Sequence, residues 1–125
     1  MKLVEQPPGS YKCGQACVAM VAGVSLKKSI KAFGLQHATN LYSMRNALKK
    51  LGFQAAEKCV AFGMQESKLP ETCLLLLTYH KNYGGLGHWV VYHQEQVYDP
   101  AGSIYPFDRL LLYAKSITYL AITPK

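Results

Sequence analysis

Cys13-Gly14-Gln15-Ala16-Cys17 is the stretch on which the fold turns. It follows Pro7, Pro8 and Gly9, which read as an extended lead-in and a turn. Beyond it, Ala16, Cys17, Met20, Val21 and Val24 recur at helical spacing, so a helix is expected from Cys13 to Val24. Cys13 then stands at the helix N-terminus, where the macrodipole and the unpaired N–H groups favour a thiolate. The thiolate is the reactive form of cysteine. Lys12 adds a positive charge beside it, and Gly14 leaves room for a substrate to approach the sulfur. Cys17 lies one turn on, on the apolar face, where cysteine acts as a small hydrophobe. Two ordinary core cysteines are the plain alternative for this segment.

Outward from this helix the texture changes once. Ser25 suits the N-cap of a second helix, Leu26 to Phe33, closed by Gly34. Thr39 or Asn40 opens a third, which runs through Leu41, Met44, Leu48 and Leu51 to Gly52. Strands are expected over Phe53 to Val60, Thr72 to Tyr79 and Ser116 to Ile122. A hairpin is expected from His88 to His93 and Gln96 to Tyr98, turning at Gln94 and Glu95. Gln65 to Leu69 reads as a loop or one helical turn, and Lys81 to Gly87 as a glycine-rich loop. Asp99 to Gly102 reads as a turn and Phe107 to Tyr113 as a short helix. Helices first and antiparallel strands after give an α+β fold, with residues 1–125 forming one domain.

Half the residues are apolar and 17% are charged, which excludes a disordered chain. No segment reaches the ~18 apolar residues of a transmembrane helix, and Met1 to Pro8 holds no apolar signal-peptide core. A cytoplasmic location is therefore expected. There, the four cysteines are expected to be free rather than bridged. A zinc site is not expected either, because no second close Cys or His pair completes a ligand set, and no cofactor is implied. Fourteen Lys and Arg against seven Asp and Glu give a net charge of +7. Such a charge suits an acidic partner, or serves solubility alone. Lys27, Lys28, Lys31, Arg45, Lys49 and Lys50 on the second and third helices make a basic patch if those helices share a face. Nucleic acid is one partner such a patch fits.

A nucleophilic thiol needs a base, and the base needs an orienting group. His37 and His80 fall in expected loops, and His93 ends a strand. His88 follows Gly84-Gly85-Leu86-Gly87 and opens the apolar run Trp89-Val90-Val91-Tyr92, and a histidine at the mouth of such a strand can face a cleft while its neighbours anchor it. Asp99 follows 11 residues later, and a hairpin would return it to His88, where a carboxylate fixes the imidazole tautomer. A plain Asp-Pro turn is the competing reading of Asp99. Gln6, seven residues before Cys13, is the side chain placed to join the Cys13 N–H in an oxyanion hole. A surface role for Gln6 is the alternative, and Gln15 is less suited because it lies within the helix.

Gln6, Cys13-Gly14-Gln15-Ala16-Cys17, Gly87-His88-Trp89-Val90-Val91 and Asp99-Pro100, in that order, resemble the papain-like cysteine peptidases. The likeness is greatest to the C39-like, bacteriocin-processing group and extends over roughly residues 5 to 105. The resemblance implies a papain-like fold with N-terminal helices packed on an antiparallel sheet. It also implies a bacterial thiol hydrolase with Cys13, His88, Asp99 and Gln6 in its site and a peptide or protein as substrate. A papain-like toxin or effector acting as a deamidase, a transamidase or on RNA is the alternative. A non-catalytic binding module with a basic surface is another. Oligomeric state is not legible. An alkylating reagent at about pH 6 is expected to label Cys13 fast, and Cys17, Cys59 and Cys73 slowly. Peptide mapping reads the result, and equal slow labelling of all four would defeat a catalytic Cys13.

Overall fold

The computed structural model describes residues 1–34, 39–63, 68–78 and 87–124. The readings of His37, His80, most of Lys81 to Gly87 and most of Gln65 to Leu69 lie outside the described residues. Three helices come first: α1 (Cys13–Ala22), α2 (Leu26–Phe33) and α3 (Leu41–Lys50). Their ends follow local chemistry. Gly23, at φ 69°, ends α1 two residues before the expected Val24. Ser25 caps α2 by accepting the Lys28 N–H at 3.1 Å. Asn40 and Ser43 cap α3 reciprocally, each side-chain oxygen accepting the other residue's backbone N–H at 2.9 and 3.0 Å.

The strands are β1 (Phe53–Ala55), β2 (Val60–Ala61), β3 (Thr72–Thr78), β4 (Gly87–His93), β5 (Gln96–Asp99), β6 (Ser103–Pro106) and β7 (Ser116–Pro124). A short helix, α4 (Phe107–Leu110), precedes β7. Among the described residues the sheet order is β1-β7-β3-β4-β5-β6, with β2 also on β7, and every pair is antiparallel. The α+β reading of the sequence is the architecture observed.

The sheet is covered on both faces. Cys17, Val18, Met44 and Leu48 from α1 and α3 pack on Leu74, Trp89, Val91 and Leu120. On the opposite face Cys73, Leu75, Leu77, Val90, Tyr92 and Val97 pack beneath Leu110 and Phe107. Phe107 also meets Tyr92 and Phe62 edge-on, with ring centroids 5.2 and 5.4 Å apart. This is why Cys73-Leu74-Leu75-Leu76-Leu77 is an unbroken apolar run: a strand buried on two faces has no polar side to show. Leu74, Leu75 and Leu77 are fully buried, each contributing roughly 2 kcal/mol of burial free energy.

Three expectations need correction. The strand expected over Phe53 to Val60 is two strands. Five residue steps from Ala55 to Val60 face three from Ile122 to Tyr119, so two residues bulge out around exposed Glu57 and Lys58. The helix expected to reach Tyr113 stops at Leu110, because Leu112 and Tyr113 have no apolar surface to cover and stand 79% and 64% exposed. Strand β6 has no counterpart in the sequence reading. It is an edge strand with exposed Ile104 and a terminal proline, and edge strands carry little apolar alternation.

The hairpin turns where expected. Gln94 and Glu95 occupy the left-handed region at φ 50° and 67°, the backbone of a two-residue hairpin turn built without glycine. The Gln94 N–H donates to the Glu71 carbonyl at 2.9 Å, and the Phe107 N–H to the Glu95 carbonyl at 2.9 Å, holding it in place.

Gly14 has a different role from the one read in the sequence. It is buried, and a Cβ there would stand 2.3 Å from Thr39 Oγ1 and 2.8 Å from Met44 Sδ. The missing side chain makes room for the start of α3, not for a substrate. Gly14→Ala is expected to lower unfolding stability by roughly 1–3 kcal/mol, measured by denaturant titration. An unchanged midpoint would mean that α3 moves aside freely.

Candidate active site

Pairing between β4 and β5 runs from His93↔Gln96 to Val91↔Tyr98 and goes no further. The β4 edge at His88 and Trp89 is therefore open on that side, and the N-terminus of α1 docks there. Cys13 is the first residue of α1. Its sulfur takes hydrogen bonds from the His88 imidazole and from the backbone N–H groups of Trp89 and Gly14. The Gly14 N–H is one of the helix donors left without an intrahelical partner.

His88 Nε2 donates to Asp99 Oδ1 at 2.8 Å. Its other ring nitrogen, Nδ1, is thereby the one left for Cys13. Strand alternation puts His88 on the same sheet face as Val90, and Asp99 on the same face as Val97, so the two are cross-strand neighbours. Asp99 Oδ1 also accepts the Ala101 N–H at 2.9 Å, and Oδ2 the Tyr105 hydroxyl at 3.4 Å. The Asp-Pro turn and the contact with His88 are thus both present in one residue. The His88 and Asp99 side chains are 19% and 13% exposed, which limits solvent screening of the pair.

Gln6 reaches the same cleft. Its backbone N–H donates to the Pro100 carbonyl at 2.8 Å, tying the lead-in to the Asp99 turn. Its side-chain amide donates one N–H to the Ser10 carbonyl at 2.8 Å, which fixes which end of the amide is nitrogen. The cleft has a volume of about 460 Å³. Gln6, Ser10, Tyr11, Cys13 and His88 line it, with Thr39, Asn40, Leu41, Leu76, Gly87 and Trp89. Gln15 is fully buried and does not line it. His93 is elsewhere, bonded to Thr72 Oγ1.

The four cysteines are free and electrostatically unlike. Burial pushes the Cys13 thiol up, but the His88 hydrogen bond, the Trp89 N–H, the imidazolium charge and the Gly14 N–H outweigh it. The net result lies below the ordinary 9.0. Burial pushes Cys73 up to about 12 and Cys17 well above the ordinary range, with the Cys13 and Asp99 charges adding to Cys17. Burial also raises Cys59, against a hydrogen bond from Thr118. Burial opposes the His88 imidazolium, yet the hydrogen bonds and charges of Asp99 and Cys13 hold its pKa at about 9. Burial likewise opposes the Asp99 carboxylate, but His88, the Ala101 N–H and Tyr105 keep it below 3.8. The arrangement favours the thiolate of Cys13 and the imidazolium of His88 together, each charge holding the other. Among the described residues no group of three His, Cys, Asp or Glu is placed to hold a metal ion, and no helix is long and apolar enough to cross a membrane.

Solved structures carry the same architecture. The peptidase domain of Streptococcus ComA, a bi-functional ABC transporter involved in a quorum-sensing pathway, matches with a TM-score of 0.71. The match is at 21% identity over 99% of this chain and 98% of that one. A double-glycine-motif protease from an AMS/PCAT transporter, in complex with the leader peptide, matches with a TM-score of 0.63. Its identity is 20%, over 99% of this chain and 93% of that one. The fold is that of these peptidase domains. It is the papain-like, C39-like fold that the ordered residues of the sequence resemble. At the level of sequence, no protein-family model and no curated protein matches.

Two groups at the site escape a sequence reading. The Trp89 N–H acts on the sulfur only because β5 stops short, and the end of a strand pairing leaves no mark in composition. Tyr105 lies on β6, the strand that lacks alternation.

The raised His88 pKa has a definite sign for stability. Because the folded value of about 9 exceeds the ordinary 6.5, its contribution is complete below 6.5 and fades as pH rises through about 9. Thiolate absorbance of the wild type is expected to appear below the ordinary thiol range. In His88→Ala it is expected to move up, since burial remains while the His88 hydrogen bond and charge are gone. Coincident titrations of the two proteins would refute the ion pair.

Proposed function

We propose that the protein is a cysteine peptidase that cuts a peptide or protein through an acyl-enzyme on Cys13. One observation carries this reading: the only lowered thiol of the four lies in a cleft, bonded to a histidine whose far nitrogen is bonded to a carboxylate. The peptidase fold supports it. A peptide substrate is also supported by the neighbour whose solved complex contains a leader peptide.

The chemistry follows from the atoms present. The Cys13 thiolate attacks the scissile carbonyl carbon, forming the C–S bond as the carbonyl electron pair moves to oxygen. The Cys13 N–H and the second amide N–H of Gln6 serve the resulting oxyanion. His88 gives its Nδ1 proton to the departing amine nitrogen as the C–N bond breaks. Water then attacks the thioester, His88 takes a proton from it, and the thiolate leaves. Asp99 holds the imidazole by Nε2 throughout, so that Nδ1 faces the sulfur. Tyr105 and the Ala101 N–H hold Asp99 in turn.

A peptide-library digest read by mass spectrometry tests the reading. Cys13→Ala is expected to abolish cleavage. His88→Ala should lower kcat/KM by roughly 10³-fold or more, and Asp99→Asn by on the order of 10²-fold or more. Gln6→Ala should lower kcat more than it raises KM. The activity profile should fall on the alkaline side near the His88 value of about 9. Cleavage that persists in Cys13→Ala would end the proposal.

A further inference from the structure

The charge of this chain is unevenly placed. Residues 6–56 hold seven of the fourteen Lys and Arg and none of the Asp or Glu. In the remainder, seven bases balance seven acids. The whole net charge of +7 therefore belongs to the lead-in and to helices α1–α3 with the segment that follows them.

The six basic residues expected to form one patch divide into two. Arg45 and Lys49 line a small groove beside Phe53, Gln54 and Ala55. Lys27, Lys28 and Lys31 of α2 converge with Lys50 at the end of α3 around an open groove of about 620 Å³. All four are exposed, and Lys50 Nζ is anchored on the Ala32 carbonyl at 3.0 Å. No described carboxylate pairs with them. Lys27 and Lys28 also occupy the first turn of α2, which has no acidic residue, and there the helix dipole disfavours cations. A local rule broken without a structural return is the mark of a surface kept for a partner.

The partner's chemistry is narrowed by what surrounds the groove. The apolar side of α2 is turned inward, with Phe33 buried in the core, so no free apolar face remains to enter a bilayer. The cleft belongs to the same positive layer, and α3 links the two: Asn40 and Leu41 at one end line the cleft, Lys50 at the other lines the groove. The sulfur acts on an acyl carbon, which a polypeptide offers and a polynucleotide does not. Helix α3 spans about 15 Å, which an extended peptide crosses in about five residues.

We propose that the groove between α2 and α3 is an exosite for an acidic segment of the polypeptide substrate, about five or more residues from the bond that is cut. The inference rests on the peptidase reading, and its field would also speed encounter at the cleft. The probes are a fluorescein-labelled oligo-Glu peptide and its oligo-Gln counterpart, titrated by anisotropy against the Cys13→Ala protein. The Glu peptide is expected to bind roughly tenfold tighter at low salt, with the difference closing as salt rises. The triple variant Lys27→Glu, Lys28→Glu, Lys31→Glu should remove the difference. That variant places acids in the first turn of α2, where they favour the helix, and its circular dichroism spectrum verifies folding. In the wild type, library peptides carrying the Glu tract should show the higher kcat/KM, and the triple variant should lose that preference. Equal binding of the two probes overturns the proposal. So does lysine-dependent binding of poly-U RNA or of phosphatidylserine vesicles that exceeds binding of the Glu peptide. Cleavage without preference for the Glu tract removes the exosite and leaves the peptidase. Lysine-dependent binding of the Glu peptide with no cleavage of any peptide removes the peptidase and leaves the acidic-segment site.

Discussion

Strand β5 leaves β4 at Val91, so Gly87 to Val90 at the start of β4 have no partner on that side. That early departure is the constraint on which the site rests. It exposes the Trp89 N–H, and a strand edge with free donors must find an acceptor. The sulfur of Cys13 is that acceptor. The N-terminus of α1 and the end of β4 are thus joined through the sulfur, whose pKa the His88 hydrogen bond, the Trp89 and Gly14 N–H groups and the His88 charge lower against burial. The docking of α1 on the sheet and the lowered Cys13 thiol share one set of hydrogen bonds.

Partners decide which thiol is lowered against burial. Cys17 follows Cys13 by a single turn, yet it sees only apolar neighbours and the negative charges of Cys13 and Asp99, and both effects keep its proton on. Cys13 is penalised by burial too, but it has three donors and a cation within reach. The difference is one of partners, not of helix position alone. The helix terminus contributes one of the three donors through Gly14, while strand β4 supplies the other two.

Much of this was legible in the chain and some was not. The helices could be bounded because their caps are local: Ser25, Asn40 and Gly34 act on residues three or four away. The strand β3 was legible through its apolar run, and the hairpin through the polar pair between two apolar stretches. Cys13, His88 and Asp99 could be picked out because each stands at the end of an element, where a side chain is held but not enclosed. What eluded the sequence was non-local. Gly14 looked like an access point, since its close neighbours Thr39 and Met44 are distant in the chain. Strand β6 and its Tyr105 were missed because an edge strand need not alternate. The six cations of α2 and α3 form two clusters because Arg45 and Lys49, four apart on one face of α3, turn toward β1 while Lys50 turns toward α2.

The turn at Gln94 and Glu95 carries a consequence of a different kind. Strand side chains alternate with a period of two, so the face on which Asp99 emerges depends on the number of residues between it and His88. Adding or deleting a single residue at that turn would send the carboxylate to the helix side of the sheet and leave the imidazole without its anchor. The loop does not line the cleft, yet its length sets whether Asp99 meets His88.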